Sequence, residues 1–415
     1  MDKRWILALA VVVASPALQA QEGEEELDVI PVFEGTGDDL DDLAPDLEWT
    51  VSGNIQGDLL GSSDLPAERE DRAEVRRARL SGLLEWRDDW RFRLGVDLVK
   101  RETPFSEDVL PVRDLSVEYR GWPVHLEVGQ FVEPFGLLQS GSRGAALMER
   151  PQPSGLGSGY GIGAAANVRV GNGALALGVF SPARNDFFFG GHEDNSVTLR
   201  GTYAPLVADD ALLHVGAALS RRQPDEQLLQ FVTIPESVLL LDFNTASQRL
   251  IADEYTLYGF ELAAQLGPVL LQGELIRADV AEAISFDDVV ENGEITFLDP
   301  DYSGWYVEGA WAVTGERRDY SVRRGTFSGI EPGRGLLDGR FGALEIGARY
   351  SSTDLRDDTA RGDRGRIASC AVNWYPLEFA KLTVEGLEAR RDPAEGGRET
   401  VRAVQARLQL HFTLP

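Results

Sequence analysis

From Trp49 onward the chain sets apolar and polar side chains one residue apart, and that period of two is its strongest constraint on fold. Trp90, Phe92, Leu94, Val96 and Leu98 alternate with Arg91, Arg93, Gly95 and Asp97. Trp305, Val307, Gly309, Trp311 and Val313 alternate with Tyr306, Glu308, Ala310, Ala312 and Thr314. Near the carboxyl terminus, Val404, Ala406, Leu408, Leu410 and Phe412 oppose Gln405, Arg407, Gln409 and His411. Successive side chains of a strand point to opposite faces, so each stretch has one face fit for hydrocarbon and one that carries polar groups or charge.

Such stretches fall near 48–60, 75–87, 90–100, 113–120, 124–131, 162–170, 173–181 and 195–204 in the first half. In the second they fall near 211–221, 255–266, 268–279, 303–314, 341–350, 364–374, 378–390 and 398–412. Sixteen is an even number, as a closed antiparallel bacterial barrel requires. Connections alternate in length. Gly171-Asn172-Gly173, Gly121-Trp122-Pro123 and Gly267-Pro268 suit short periplasmic turns, whereas 221–254 and 280–302 suit extracellular loops. The alternation favours an outer-membrane barrel over a soluble sandwich and places the Trp305–Val313 face in lipid, where closure satisfies every backbone hydrogen bond. Trp86, Trp90, Trp305, Trp311 and Trp374 are then expected in the interfacial aromatic girdles.

The amino terminus agrees with export. Lys3 and Arg4 precede a short apolar run, Trp5 to Ala14, and small residues up to Ala20, the pattern of a signal peptide with a cut after Ala20 or after Ala17. Residues 21–47 hold EGEEELD and GDDLDD, too acidic and too weakly apolar to offset their ordering entropy, and read as a disordered periplasmic segment. DDLDDLAPDLE lacks the alternating ligands and glycine of a calcium loop. The barrel domain is expected over 48–415. The lone cysteine, Cys370, excludes an intrachain disulfide framework. Removing residues 1–20, with Asp2, Lys3 and Arg4, takes the net charge from −28 to −29, which excludes non-specific nucleic-acid binding. Of the 40 basic residues only Lys3, Lys100 and Lys381 are lysines.

Several stretches, in order, carry a resemblance. GQFVEPFGL (129–137), LMERPQP (147–153), WYVEGAWAVTGERRDY (305–320) with Phe327 and Pro332, GALEIGARYSSTDL (342–355) and NWYP (373–376) resemble the phosphate-selective porin O and P family over about residues 50–412. The resemblance implies a sixteen-stranded barrel, usually trimeric, with an extracellular loop folded into the lumen as a constriction. VRRARL (75–80) is similar to the family's Phe-Arg-Arg-Ala-Tyr-Leu strand, which nominates Arg76 and Arg77 as constriction residues. Arg143 takes the place of a constriction lysine, and Asp114 in RDLSVEY matches an aspartate facing the anion path. Strict alternation cannot send both Arg76 and Arg77 inward unless a bulge intervenes; without one, Arg77 and Arg79 form the lumen pair. Arg91, Arg93, Arg349 and Arg407 are further lumen candidates.

The chain also departs from that pattern. Asn54 stands where selective members carry a basic residue, no lysine occurs between 101 and 380, and within 221–254 only Arg221, Arg222 and Arg249 are basic. A general diffusion porin with weak or cation preference therefore stands beside the phosphate or polyphosphate channel, as does a non-conducting structural or adhesive barrel. Catalysis has little support: His125, His192, His214 and His411 are dispersed without metal-ligand spacing, and no Gly-x-Ser-x-Gly elbow occurs. No cofactor is expected. The expected partners are the outer-membrane bilayer, small anions, two further copies in a homotrimer and the barrel assembly machinery, which in such proteins recognises a terminal aromatic residue. Here Phe412 precedes Thr413, Leu414 and Pro415, which are expected to form a tail.

Overall fold

The computed structural model describes residues 46–62, 71–99, 112–138, 145–182, 194–224, 227–293, 295–333 and 335–414. The leader and all but the last two residues of the acidic segment lie outside these. Every predicted stretch becomes a strand. In chain order these are β1 (Leu47–Gly61), β2 (Asp71–Trp86), β3 (Trp90–Asp97), β4 (Val112–Tyr119), β5 (Val124–Val132), β6 (Tyr160–Val170), β7 (Gly173–Pro182) and β8 (Asp194–Val207). They continue as β9 (Ala211–Pro224), β10 (Tyr255–Leu266), β11 (Val269–Val280), β12 (Asp301–Ala312), β13 (Ala343–Asp354), β14 (Arg364–Leu377), β15 (Ala380–Asp392) and β16 (Glu399–Leu414). Each pairs antiparallel with its sequence neighbours, and β1 closes on β16.

The seam corrects one expectation. Ser52 pairs with Thr413 and Val51 with Leu414, so these two residues extend the last strand and are not a tail. β1 begins at Leu47, several residues before Gly53, the partner of Phe412, and so offers the final residues a ladder to join.

Facing follows the period. Trp305 and Val307 are 42% and 47% exposed, whereas Tyr306 and Glu308 between them are 2% and 1% exposed, so the Trp/Val face is the lipid face. Trp86, Trp90, Trp311 and Trp374 sit close to the short turns, at the periplasmic rim.

The lumen is half filled by the chain itself. The described parts of the connection after β5 (133–138 and 145–159) and of the one after β9 (227–254) fold inward against the barrel wall. Phe135 of the first and Phe231 of the second join Tyr255, Leu257, Ile276 and Tyr302 in an apolar cluster inside the barrel. The Phe231 ring meets Tyr255 and Tyr302 edge-on, with centroids 5.4 Å away in each case. A third inward segment breaks the long-short alternation: 313–342, between β12 and β13, leaves the periplasmic end and carries a small hairpin, Tyr320–Ser321 paired with Thr326–Phe327, up into the barrel. Tyr320 and Phe327 pack there with Leu212, Ala263 and Ala310 of the wall.

Candidate functional site: a channel lined by arginine

Two one-residue pairing shifts set the site. On β1 and β2, Gln56 pairs with Arg77 and Gly57 with Val75, so Arg76 is an extra residue in the ladder. A bulge turns two successive side chains toward one face. Both arginines consequently point inward, with different fates. Arg76 is buried and gives a two-pronged bond to Glu149, Nε to Oε1 at 2.8 Å and Nη2 to Oε2 at 3.0 Å. Arg77 faces the open lumen with Nη2 3.6 Å from Glu149 Oε2. On β3 and β4, Gly95 pairs with Asp114 and Val96 with Val112, leaving Arg113 as the extra residue. Arg113 and Asp114 accordingly both line the lumen, and the Arg113 guanidinium lies 4.5 Å from the Tyr160 ring centre. Gly95 makes room: a Cβ there would stand 2.9 Å from Asp114 Oδ2.

Around these residues β2–β5 form a ladder of alternating charge. Arg79 Nε donates to Asp97 Oδ2 at 3.0 Å. Arg93 bridges Glu118 (2.7 Å) and Glu127 (2.6 Å), and Arg91 holds Glu85 at 2.7 Å, which Arg120 shares at 2.6 Å. His125 Nδ1 lies 3.2 Å from Glu118 Oε1.

This wall bounds a chamber of about 680 Å³, within the range of small-molecule sites. Ten arginines line it against four carboxylates. Asp97, Glu85 and Glu261 pair with lining arginines from just behind; counting them as well leaves ten positive groups against seven negative. The chamber is thus cationic inside a strongly acidic protein.

Glu149, on the chamber wall, and other buried carboxylates fasten the inward segments. Glu149 accepts from Arg76 and from Arg407 Nη2 at 2.5 Å; Arg407 also holds Asp58 at 2.6 Å. Burial alone raises the Glu149 carboxyl, but Arg76, Arg407 and Arg77 outweigh it and hold it well below the usual carboxylate range. Glu236 of the second loop accepts from Arg349 Nη1 at 3.0 Å and Ser351 Oγ at 2.6 Å, while Arg349 Nη2 donates to Glu308 at 2.6 Å. Glu385 accepts from the Met148 backbone N–H at 2.7 Å, and Glu274 from that of Leu137. Glu133 accepts from Arg222, Ser196 and Thr198.

The periplasmic hairpin is docked the same way. Tyr320 Oη lies 2.7 Å from His214 Nδ1, whose Nε2 is 3.1 Å from Glu261 Oε2. Arg200 clamps Glu261 and donates to the backbone oxygens of Arg324 (2.6 Å) and Gly325 (3.1 Å), while Arg318 pairs with Glu345. Gly325, at φ +60°, turns the tip. That tip presents Arg323 and Arg324 to the chamber; Arg323 Nη1 donates to Asn167 Oδ1 at 3.3 Å. Burial first, then the neighbouring Arg93 and Arg91, pull the Arg324 guanidinium below its ordinary value.

Of the sequence candidates, Arg77, Arg79, Arg91, Arg93 and Asp114 converge on the chamber. Arg76, Arg349 and Arg407 point inward but lie beneath the folded loops, at 1%, 3% and 4% exposure. Arg143 lies outside the described residues. Sequence reasoning missed Arg113, Arg120, Arg150, Arg200, Arg323 and Arg324. SVRRGTF, with its paired arginines before a glycine, was a legible turn signal, whereas the bulge that admits Arg113 depends on a partner strand and had none.

A closed sixteen-stranded barrel with an apolar exterior and a charged, water-accessible interior defines an outer-membrane porin, a channel rather than an enzyme. The chain belongs to the family of phosphate-selective porins O and P, whose match covers residues 50–412. It is 24% identical over 425 residues to Porin O of Pseudomonas aeruginosa, across 93% of this chain and 92% of that protein. Among solved structures it shares its fold with the anion-selective porin from Comamonas acidovorans, at 10% identity, TM-score 0.54 and coverage of 88% and 100% of the two chains. It likewise shares its fold with the trimer form of OmpT from Vibrio cholerae, at 11% identity, TM-score 0.53 and coverage of 88% and 99%.

Proposed function

We propose that this porin passes small anions, phosphate among them, through the arginine-lined chamber, past Arg77, Arg79, Arg113 and Asp114 and, nearer the periplasmic turns, Arg91, Arg93, Arg323 and Arg324. The observation that carries the reading is the surplus of arginine over carboxylate in the lining. Guanidinium groups replace part of an anion's hydration shell as it enters, and the interleaved Asp114, Glu118 and Glu127 keep binding shallow enough for release. Opposite-wall charge closer than about 8 Å, a Debye length at physiological salt, is poorly screened, so the lining outweighs the distant acidic surface. Arg143 joins this group on the family resemblance, and assembly as a homotrimer is proposed on the same footing, with the OmpT trimer form in support. The competing cation preference has less support, because the lining carboxylates are outnumbered by arginines and the other buried inward carboxylates hold loops. The test is the reversal potential of purified protein in a planar bilayer across a potassium chloride gradient: an anionic sign is expected, a cationic sign overturns the reading, and absence of conductance points to a structural barrel.

A further inference from the structure

The chamber has two unlike walls. Beside the arginine ladder stand the end of β5 and the inward loops, and their backbones alternate as strands do: Glu133 and Phe135 turn to the barrel packing while Val132, the last residue of β5, and Pro134 remain half exposed. In the second loop Phe231, Thr233 and Pro235 are buried while Val232 and Ile234 remain half exposed. Val132, Pro134, Val232 and Ile234 all line the chamber. A lumen built for inorganic ions alone is expected to be polar throughout, since water-facing aliphatic groups gain nothing from a hydrated ion. An apolar strip in the same chamber as a cationic ladder is what an amphiphilic solute can use: its charged end pairs with guanidinium while its hydrocarbon sheds water against the strip. The volume, about 680 Å³, is far more than one phosphate occupies and is in the range of a drug-sized ligand.

We infer that the chamber favours organic anions that carry an apolar body, aliphatic carboxylates in particular, over anions of equal charge and carbon number that are polar throughout. This rests on the anion reading above and deepens it. Hexanoate and gluconate make the comparison, because both are six-carbon monocarboxylates and differ in hydroxylation. Permeability ratios are read from bi-ionic reversal potentials against chloride at pH 8, with protein-free bilayers subtracting leak. Hexanoate is expected to exceed gluconate several-fold in the wild type. Val232→Thr, which keeps shape, with Ile234→Thr, which also removes one methyl, adds hydroxyls to the strip and should cut that ratio by about tenfold, the loss of a few buried methylene contacts, while the phosphate-to-chloride ratio moves less than twofold. Ile234→Thr alone, with about half the effect on a logarithmic scale, serves if the double variant fails to assemble. A wild-type ratio at or below unity overturns the inference even where the salt-gradient potential is anionic, as does a ratio indifferent to both variants. A cationic salt-gradient potential overturns the anion reading and this one with it.

Discussion

The two halves of the lumen use the same ion pairs to opposite ends. Along β2–β5 arginines and carboxylates pair between neighbouring strands and stay wet: the side chains of Arg93 and Glu118 are 28% and 12% exposed. Where the inward loops meet β12 and β13 the pairs are dry: the side chains of Arg349, Glu236 and Glu308 are at most 1% exposed, and their remaining bonds go to loop backbone, to hydroxyls and to the Gln272 amide. In the first half a pair can open to exchange partners with a passing solute. In the second each group is locked by several partners, and the pair serves as a rivet. Residues 21–48 alone hold 12 acidic residues and no basic one, and the riveting carboxylates are matched by buried arginines, so the acidic bias of the chain says little about what the channel selects.

The sharpest way to break this contrast is to remove one charge from each half. Arg349→Ala leaves Glu236 and Glu308 buried without their cation, and should cost about 3–5 kcal/mol, the penalty for orphaning a buried charge. A lower midpoint for heat-induced unfolding on gels, together with larger and noisier single-channel currents as the loops loosen, is the expected record. Arg93→Ala, by contrast, should change stability by less than about 1 kcal/mol, because its pairs are partly solvated. Equal midpoints for the two variants would erase the distinction between rivet and ladder.

Next in size is the effect on selectivity. Arg77→Ala with Arg113→Ala removes two positive groups from the chamber lining and should move the reversal potential toward cations, most at low salt where screening is weakest. Arg349→Lys, in the riveted half, should leave its sign unchanged. A double variant with wild-type potential would show that these arginines fill the lumen without filtering.

The smallest expected effect tests the border between halves, where Glu149 touches both. Its carboxyl is held below the usual range when folded, so its contribution to stability is complete above the unfolded value of about 4.3 and is lost as pH falls through the folded one. Currents recorded from pH 7 down to pH 3 should therefore be steady at first and become noisy only at the acid end. Glu149→Gln should abolish that acid transition; a transition of equal size in the variant would assign it to other carboxylates.

The barrel was legible because lipid enforces the period of two: wherever one face meets hydrocarbon, as in Trp305–Val313, sequence alone shows which residues point out. What the inward residues meet was not legible. Arg93 and Arg349 both alternate with lipid-facing neighbours, yet one lines water and the other lies under a loop, since that depends on how 133–159 and 225–254 fold. The Arg76 and Arg77 pair announced its own irregularity, because two adjacent inward charges require an extra residue in the ladder. The bulge at Arg113 gave no such warning: Val112 and Asp114 are unremarkable on β4 alone, and the shift arises only against Gly95 on β3. The 313–342 connection was hidden by the rule that periplasmic turns are short, which holds for the turns at Gly171, Gly121 and Gly267 and fails here.

Because its interior is occupied from both rims, this barrel must mature in a particular order. Glu236 and Arg349 belong to a loop and to β13, and Arg318 and Glu345 to the periplasmic connection and to β13, so neither pair exists until the wall on that side has formed. Before then each of those charges stays in water, since an ion cannot be dehydrated ahead of its counter-ion without a penalty of several kcal/mol. The interior therefore begins as a water column, and the drying of one side is the late event that turns a plain cylinder into an off-centre passage.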